Sequence, residues 1–228
     1  MTRPTPTPDA VAELYHRWGA EPARDCPICP RLVGYREANR AAHPDWWNGP
    51  PPSWGPSDAR LLVLGLAPGR MGANRTARPF TGDFAGVLLY ETLLKTGFAC
   101  GRYDARPDDG LELVDCMVSN AVRCAPPENK PTGAEERDCR PFLVARLAGL
   151  PNLRAVVALG DVSRRNLLRA LGARPDVAPP GHGVETQVGG VRVFSSYHCS
   201  RLNTNTGRLT PAMFEAVFAA VRRHLDGA

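Results

Sequence analysis

The sequence has 228 residues, 43% hydrophobic and 22% charged, which fits a soluble globular domain, with or without an appendage, long enough to bury a sizeable core. No apolar stretch approaches the roughly 18 residues of a membrane span, and the leading MTRPTPTPDA lacks a hydrophobic signal core, so a cytoplasmic protein with no membrane partner is expected. The formal charge is +5 and 26 of the 28 basic residues are Arg, a side chain suited to bidentate phosphate contacts, which makes a nucleic-acid partner plausible.

Residues 1–8 alternate Pro and Thr and read as disordered. Asp9 caps a short helix through about Trp18, and residues 9–56 form an N-terminal lead to a single domain. Arg31 to Arg40 reads as helical, whereas His43 to Pro56, with five prolines and three tryptophans, reads as an irregular loop. Leu61 to Leu66 is an apolar run that breaks into Ala67-Pro68-Gly69 and Gly72, the pattern of a buried strand ending in a tight loop. Asp83 heads the next helix, which carries Val87, Leu88, Thr92 and Leu93 on one side. Leu113 to Asn120 reads as a second buried strand, and the loop CAPPENKPT leads to a helix at Ala134 to Ala148 in which Pro141 forces a kink or a restart.

Arg154 to Leu159 is a third strand, followed by an Asp161-capped helix, and Val191 to Tyr197 a fourth that ends at His198. Thr210-Pro211 opens the last helix, whose apolar face is Met213, Phe214, Val217, Phe218 and Val221. Strands alternating with helices predict an α/β fold, a three-layer α/β/α sandwich around a central, mostly parallel four-stranded sheet. Ligands of such sheets bind outside the carboxyl ends of the strands, so the loop at 67–83, Asn120 and His198 are expected to converge on one cleft. That loop contains neither GxxxxGK[ST] nor a GxGxxG that opens a helix.

Seven cysteines, an odd number, argue against a disulfide framework. Cys26 and Cys29 form a C-x2-C, and Cys124 and Cys139 sit beside prolines and charged residues. From spacing, these four thiolates suit zinc about as well as an iron–sulfur cluster.

Four stretches in order, GLAPGRMGANRTARPFTGD, SNAVRCAPPENKPT, the cysteine pattern and SYHCSRLNTNTGRLT, together resemble the uracil-DNA glycosylase superfamily, and within it the B-type group called family 5. The resemblance runs from about Cys26 to the last helix. It implies a uracil-DNA glycosylase-like fold and a monofunctional repair enzyme, acting as a monomer, that flips uracil out of double-stranded DNA and hydrolyses its N-glycosidic bond. It also implies a structural [4Fe-4S] cluster on Cys26, Cys29, Cys124 and Cys139.

Carried onto this sequence, the resemblance makes His198 a donor to the base O2 as charge develops there, Phe80 a stacking surface, and Asn120 and Asn129 amides for the base edge. Gly65, Ala67 and Gly69 join the base site. Arg75, Arg78 and Ser200 are implied DNA contacts, and Arg201 and Leu202 wedge into the duplex where the base leaves. One departure bears on mechanism: where related groups carry an Asp or Glu that positions water, this chain has Leu66 and Ala67. Either Asp83 takes over that task, or DNA phosphates and loop amides stabilise the cation; a wider choice of deaminated bases, hypoxanthine included, is implied. A metal-stapled nucleotide-binding α/β enzyme and a non-catalytic DNA-binding module are the alternatives. The first lacks a phosphate-loop lysine, and the second leaves a His, Asn and Asp set at strand ends unexplained.

Overall fold

The computed structural model describes residues 19–227. The Pro/Thr stretch and the helix expected from Asp9 to Trp18 lie outside the described residues. In chain order the elements are α1 (Pro30–Ala42), β1 (Leu61–Gly65), α2 (Ala73–Thr76), α3 (Phe84–Lys95), β2 (Ala99–Cys100), β3 (Glu112–Leu113), β4 (Cys116–Asn120), α4 (Gly133–Ala148), β5 (Ala155–Leu159), α5 (Asp161–Ala170), β6 (Glu185–Val188), β7 (Val191–Ser196), α6 (Arg201–Asn205) and α7 (Pro211–Asp226).

Every residue of β1, β4 and β5 is buried, as strands covered on both faces must be. The two-residue alternation sorts their side chains into two layers. Leu61, Val63, Val157 and Phe194 pack with Leu89 and Leu93 of α3 and with Phe214, Phe218 and Val221 of α7. Leu62, Leu64, Val156 and Ala158 meet Leu143 of α4 and Leu167 of α5 on the other face. The result is the expected α/β/α sandwich.

The strand order is β4-β1-β5-β7-β6, parallel except for β6. Gly65 lies opposite Asn120, and Leu159 opposite Ser196, so the chain leaves all four parallel strands along one edge. At the side of β4, Trp54 pairs with Val118 through two backbone hydrogen bonds, and the Pro-rich loop thereby covers an otherwise open strand. No described helix is long and apolar enough to cross a membrane.

Three local expectations need correction, and a fourth, at Pro141, is narrowed. The sheet has five strands rather than four, because Glu185–Val188 turns through Gly189-Gly190 and pairs antiparallel with β7; its alternating exposure hid it from a search for apolar runs. The expected strand from Leu113 to Asn120 is broken at Asp115, which is left-handed (φ 54°) and accepts hydrogen bonds from the Arg60 backbone N and Nε. Its first part pairs with β2 in a separate ribbon. Of the kink or restart expected at Pro141 the restart is absent: α4 runs through it as one helix, started by a reciprocal capping box between Thr132 and Glu135 and anchored by buried Cys139, Phe142 and Leu143. Asp161 does not cap α5: Gly160, at φ 90°, takes that place, and the Asp161 carboxylate accepts from Arg164 and Arg165 instead.

Candidate active site

The loops leaving β1, β4 and β7 enclose a cleft of about 470 Å³, lined among others by Ala67, Gly69, Phe80, Asp83, Asn120, Asn129, His198, Ser200 and Arg201. Gly65 lies beneath it. A methyl group there would stand 2.5 Å from Asn120 Oδ1 and 2.6 Å from Phe80 Cζ, so only glycine lets these two side chains meet over the strand end.

Asp83 has two faces. One carboxylate oxygen caps α3 by accepting from Gly86 N at 3.2 Å, while Oδ2 lies against the Gly-rich loop, 2.9 Å from where a Gly69 side chain would begin and closer still at Gly72. Burial raises its pKa above the ordinary Asp value, against the lowering effect of backbone amides at Gly86 and Ala85. Capping and chemistry are therefore compatible in one residue, because they use different oxygens.

His198 follows β7 and stacks loosely toward Phe80, ring centroids 6.2 Å apart. Burial lowers its pKa to about 4, so the imidazole is neutral at physiological pH and offers one N–H. Its backbone oxygen accepts from Asn203 Nδ2 at 2.8 Å, which fixes the turn into α6, and Ser200 caps that helix. Asn120 is 4% exposed at the end of β4. Asn129 is exposed at the cleft mouth in a left-handed conformation (φ 57°).

Arg201 lies over the Phe84 ring at 5.1 Å on the cleft rim, and Leu202 beside it is 72% exposed, the most exposed large apolar side chain described. Arg75 is exposed but outside the cleft, its Nε donating to Met71 O. Arg78 is a correction. It is 5% exposed, donates from Nη1 and Nη2 to the Asp109 carboxylate at 2.8 Å each, and lies over Trp54, so no DNA phosphate can reach it. Its role is structural. Three rim residues were missed: Arg70, Met71 and Phe84. Arg70 is held by Asn39 Oδ1 (2.7 Å), His43 Nε2 (3.0 Å) and the Trp46 face, all from α1 and the loop after it. The Gly-rich loop was the available signal, since Arg70 and Met71 lie inside it.

Cys26, Cys29, Cys124 and Cys139 line a separate cavity with Arg123 and Phe142, between the start of α1 and α4. Burial pushes all four thiols up, Cys139 to about 12, and at Cys29 and Cys124 neighbouring thiols add to the effect. Arg123 N donates to Cys139 Sγ at 3.2 Å, and Arg36 Nη1 to Cys26 O at 2.9 Å. Among the described residues no group of three or more His, Cys, Asp or Glu is arranged to hold a metal ion. Cys100 is exposed and Cys116 and Cys199 are buried elsewhere.

A family model described as the uracil DNA glycosylase superfamily matches residues 52–222, which takes in the whole cleft. The chain belongs to the uracil-DNA glycosylase superfamily. It is 43% identical over 204 residues to a type-5 uracil-DNA glycosylase of Thermus thermophilus, covering 87% of this chain and 93% of that protein. A type-5 uracil-DNA glycosylase of Pyrobaculum aerophilum is 43% identical over 190 residues, 82% of this chain and 83% of that protein. Similarity to a type-4 uracil-DNA glycosylase of Thermotoga maritima is lower, 30% over 149 residues, covering 65% and 68%. The cleft lies at the carboxyl edge of the sheet, where open α/β sheets bind their ligands.

Proposed function

We propose that the chain is a monomeric, cytoplasmic, monofunctional DNA-repair glycosylase that flips uracil out of double-stranded DNA and excises it, leaving an abasic site. The observation that carries this reading is the single cleft in which Phe80, Asp83, Asn120 and a neutral His198 stand together at the strand ends. The activity borne by the type-5 relatives supplies the substrate.

The reaction breaks the C1′–N1 bond; the electron pair leaves with the base, and a water oxygen takes its place on C1′. His198 donates its N–H to the base O2, where negative charge grows, and being neutral it does not have to surrender a proton to do so. Phe80 stacks on the flipped base and Asn120 bonds its polar edge. Asp83, through the oxygen not used in capping, orients the water and receives its proton. Arg201 and Leu202 enter the space the base vacates. With no acidic side chain at Leu66 or Ala67, the base site is open enough for other deaminated bases, hypoxanthine among them.

The four cysteines line one cavity, and the donor set of four thiols is the one a [4Fe-4S] cluster uses. The Arg123 amide at Cys139 and the Arg36 guanidinium near Cys26 suit a negatively charged thiolate cluster. When bound, it would tie the start of α1 to α4 and to the loop after β4, bracing one wall of the cleft.

The test is incubation with duplex oligonucleotides carrying uracil, hypoxanthine or no lesion, followed by alkali. Strand breaks at uracil only after alkali are expected. Breaks without alkali would remove the monofunctional assignment, and none at all would remove the proposal.

A further inference from the structure

Phe80 is a bulky side chain in the left-handed region, at φ 52°, where a Cβ clashes with its own backbone. Such a conformation persists only where its surroundings over-determine it. The two carbonyls around it are both held by phenols: Tyr90 OH donates to Pro79 O, and Tyr103 OH donates to Phe80 O at 3.2 Å. On the other side Gly86 lies so close to Phe80 O that a side chain there would overlap it. The two phenol rings are themselves in contact, centroids 4.7 Å apart, with the Arg78 guanidinium beside both.

Tyr90 is fully buried on α3, whereas Tyr103 comes from the excursion between β2 and β3. That excursion is organised by one carboxylate. Asp109 accepts from the backbone N of Asp104 and of Leu111 while ion-paired to Arg78. The same Arg78 donates from Nε to Thr81 Oγ1 at 2.7 Å, on the far side of Phe80. Burial keeps the Tyr103 phenol protonated, its pKa raised to about 12, so its donated hydrogen persists across the working pH range.

We infer that Tyr103 is a positioning residue of the glycosylase reaction: its hydroxyl, donating to Phe80 O, holds the Phe80 ring in the left-handed setting in which it stacks on the extrahelical base. The inference rests on the reading of Phe80 as the stacking surface. The Arg78–Asp109 pair, which does not touch DNA, serves by placing Tyr103. Distance from the cleft explains why no motif exposed it: Tyr103 does not line the cleft, and acts through a backbone oxygen.

The experiment is a double-mutant cycle on the full chain, with Phe80→Ala, Tyr103→Phe and the pair, read by single-turnover excision of uracil at saturating enzyme. Tyr103→Phe removes one oxygen and should slow excision about tenfold, the weight of one hydrogen bond. In the Phe80→Ala background the same change should cost nothing further. Duplex containing an abasic site has no base to stack, so its affinity should be equal for wild type and Tyr103→Phe, while the fluorescence of 2-aminopurine next to uracil should report a smaller flipped fraction. If Phe80→Ala itself excises normally, the stacking reading fails. If Phe80→Ala is slow but Tyr103→Phe is normal, or if the two losses multiply in the pair, or if abasic-site binding falls with excision, the positioning role is overturned and the phenol is packing alone.

Discussion

Replacing Asp83 by Asn separates the cap it forms at the head of α3 from the water-orienting role proposed for it. The oxygen that accepts from Gly86 N at 3.2 Å survives in Asn, and Asn caps a helix about as well as Asp, so at a pH where Asp83 is protonated the melting temperature should change little. Asp83→Ala removes the cap as well and should destabilise by about 1 kcal/mol. The second oxygen, lying over Gly69 and Gly72, becomes an amide that cannot take a proton from water. Single-turnover excision should then fall by roughly 10² to 10⁴, the contribution of a positioned general base.

The raised pKa adds a second signature. Wild-type excision should decline on acidification through a value above the ordinary Asp range, and Asp83→Asn should lack that limb. For stability the sign is opposite to that of an ion-paired Asp. A carboxyl whose folded pKa exceeds its unfolded value stabilises only while protonated, and that contribution is lost as pH rises through the folded pKa. Asp83→Asn should therefore gain stability relative to wild type as pH rises through the folded pKa of Asp83, which lies above the ordinary Asp value. A folded Asp83→Asn protein that excises at close to the wild-type rate would refute the argument and leave phosphates and loop amides as the source of catalysis.

Other outcomes follow from the same geometry. His198→Ala should lose roughly 10² to 10³ in excision rate, as for one lost oxyanion donor, and because burial holds its pKa near 4, the wild-type pH–rate profile should show no step near 6.5. Arg201→Ala should reduce the dependence of DNA affinity on salt by about one counterion; Arg78→Ala should instead cost about 3–5 kcal/mol of stability by stranding the buried Asp109 carboxylate, seen in a denaturant melt, with an unchanged salt slope. The purified protein should be brown, absorb broadly near about 400 nm and contain iron. Cys26→Ala or Cys139→Ala should lose the colour and solubility and Cys100→Ala should keep both, whereas a colourless protein with one zinc per chain would sink the cluster.

The layers and the convergence of the site were legible because they rest on strong local signals. The run from Leu61 to Leu66 has one stable fate, and its break at Ala67-Pro68-Gly69 marks the functional edge of the sheet. Asp83 as a helix head and His198 at the end of β7 follow from the same logic. What escaped depends on partners distant in sequence. Arg78 lies in a loop full of donors, and only the fold brings Asp109, 31 residues on, against it. Arg70 belongs to the cleft because α1 holds it there. Asp115 breaks a strand-like run because Arg60 captures its carboxylate. Pro141 does not restart α4, because the buried Cys139, Phe142 and Leu143 around it hold the helix together across the missing hydrogen bond.

The central claim is that this cleft hydrolyses the N-glycosidic bond of uracil in DNA. Its most direct test is mass-spectrometric detection of free base after mixing excess enzyme with a uracil-containing duplex in one turnover. Free uracil in step with abasic sites, both lost together in a folded His198→Ala variant, is the predicted result. Tight binding of the duplex with no uracil released would contradict the account.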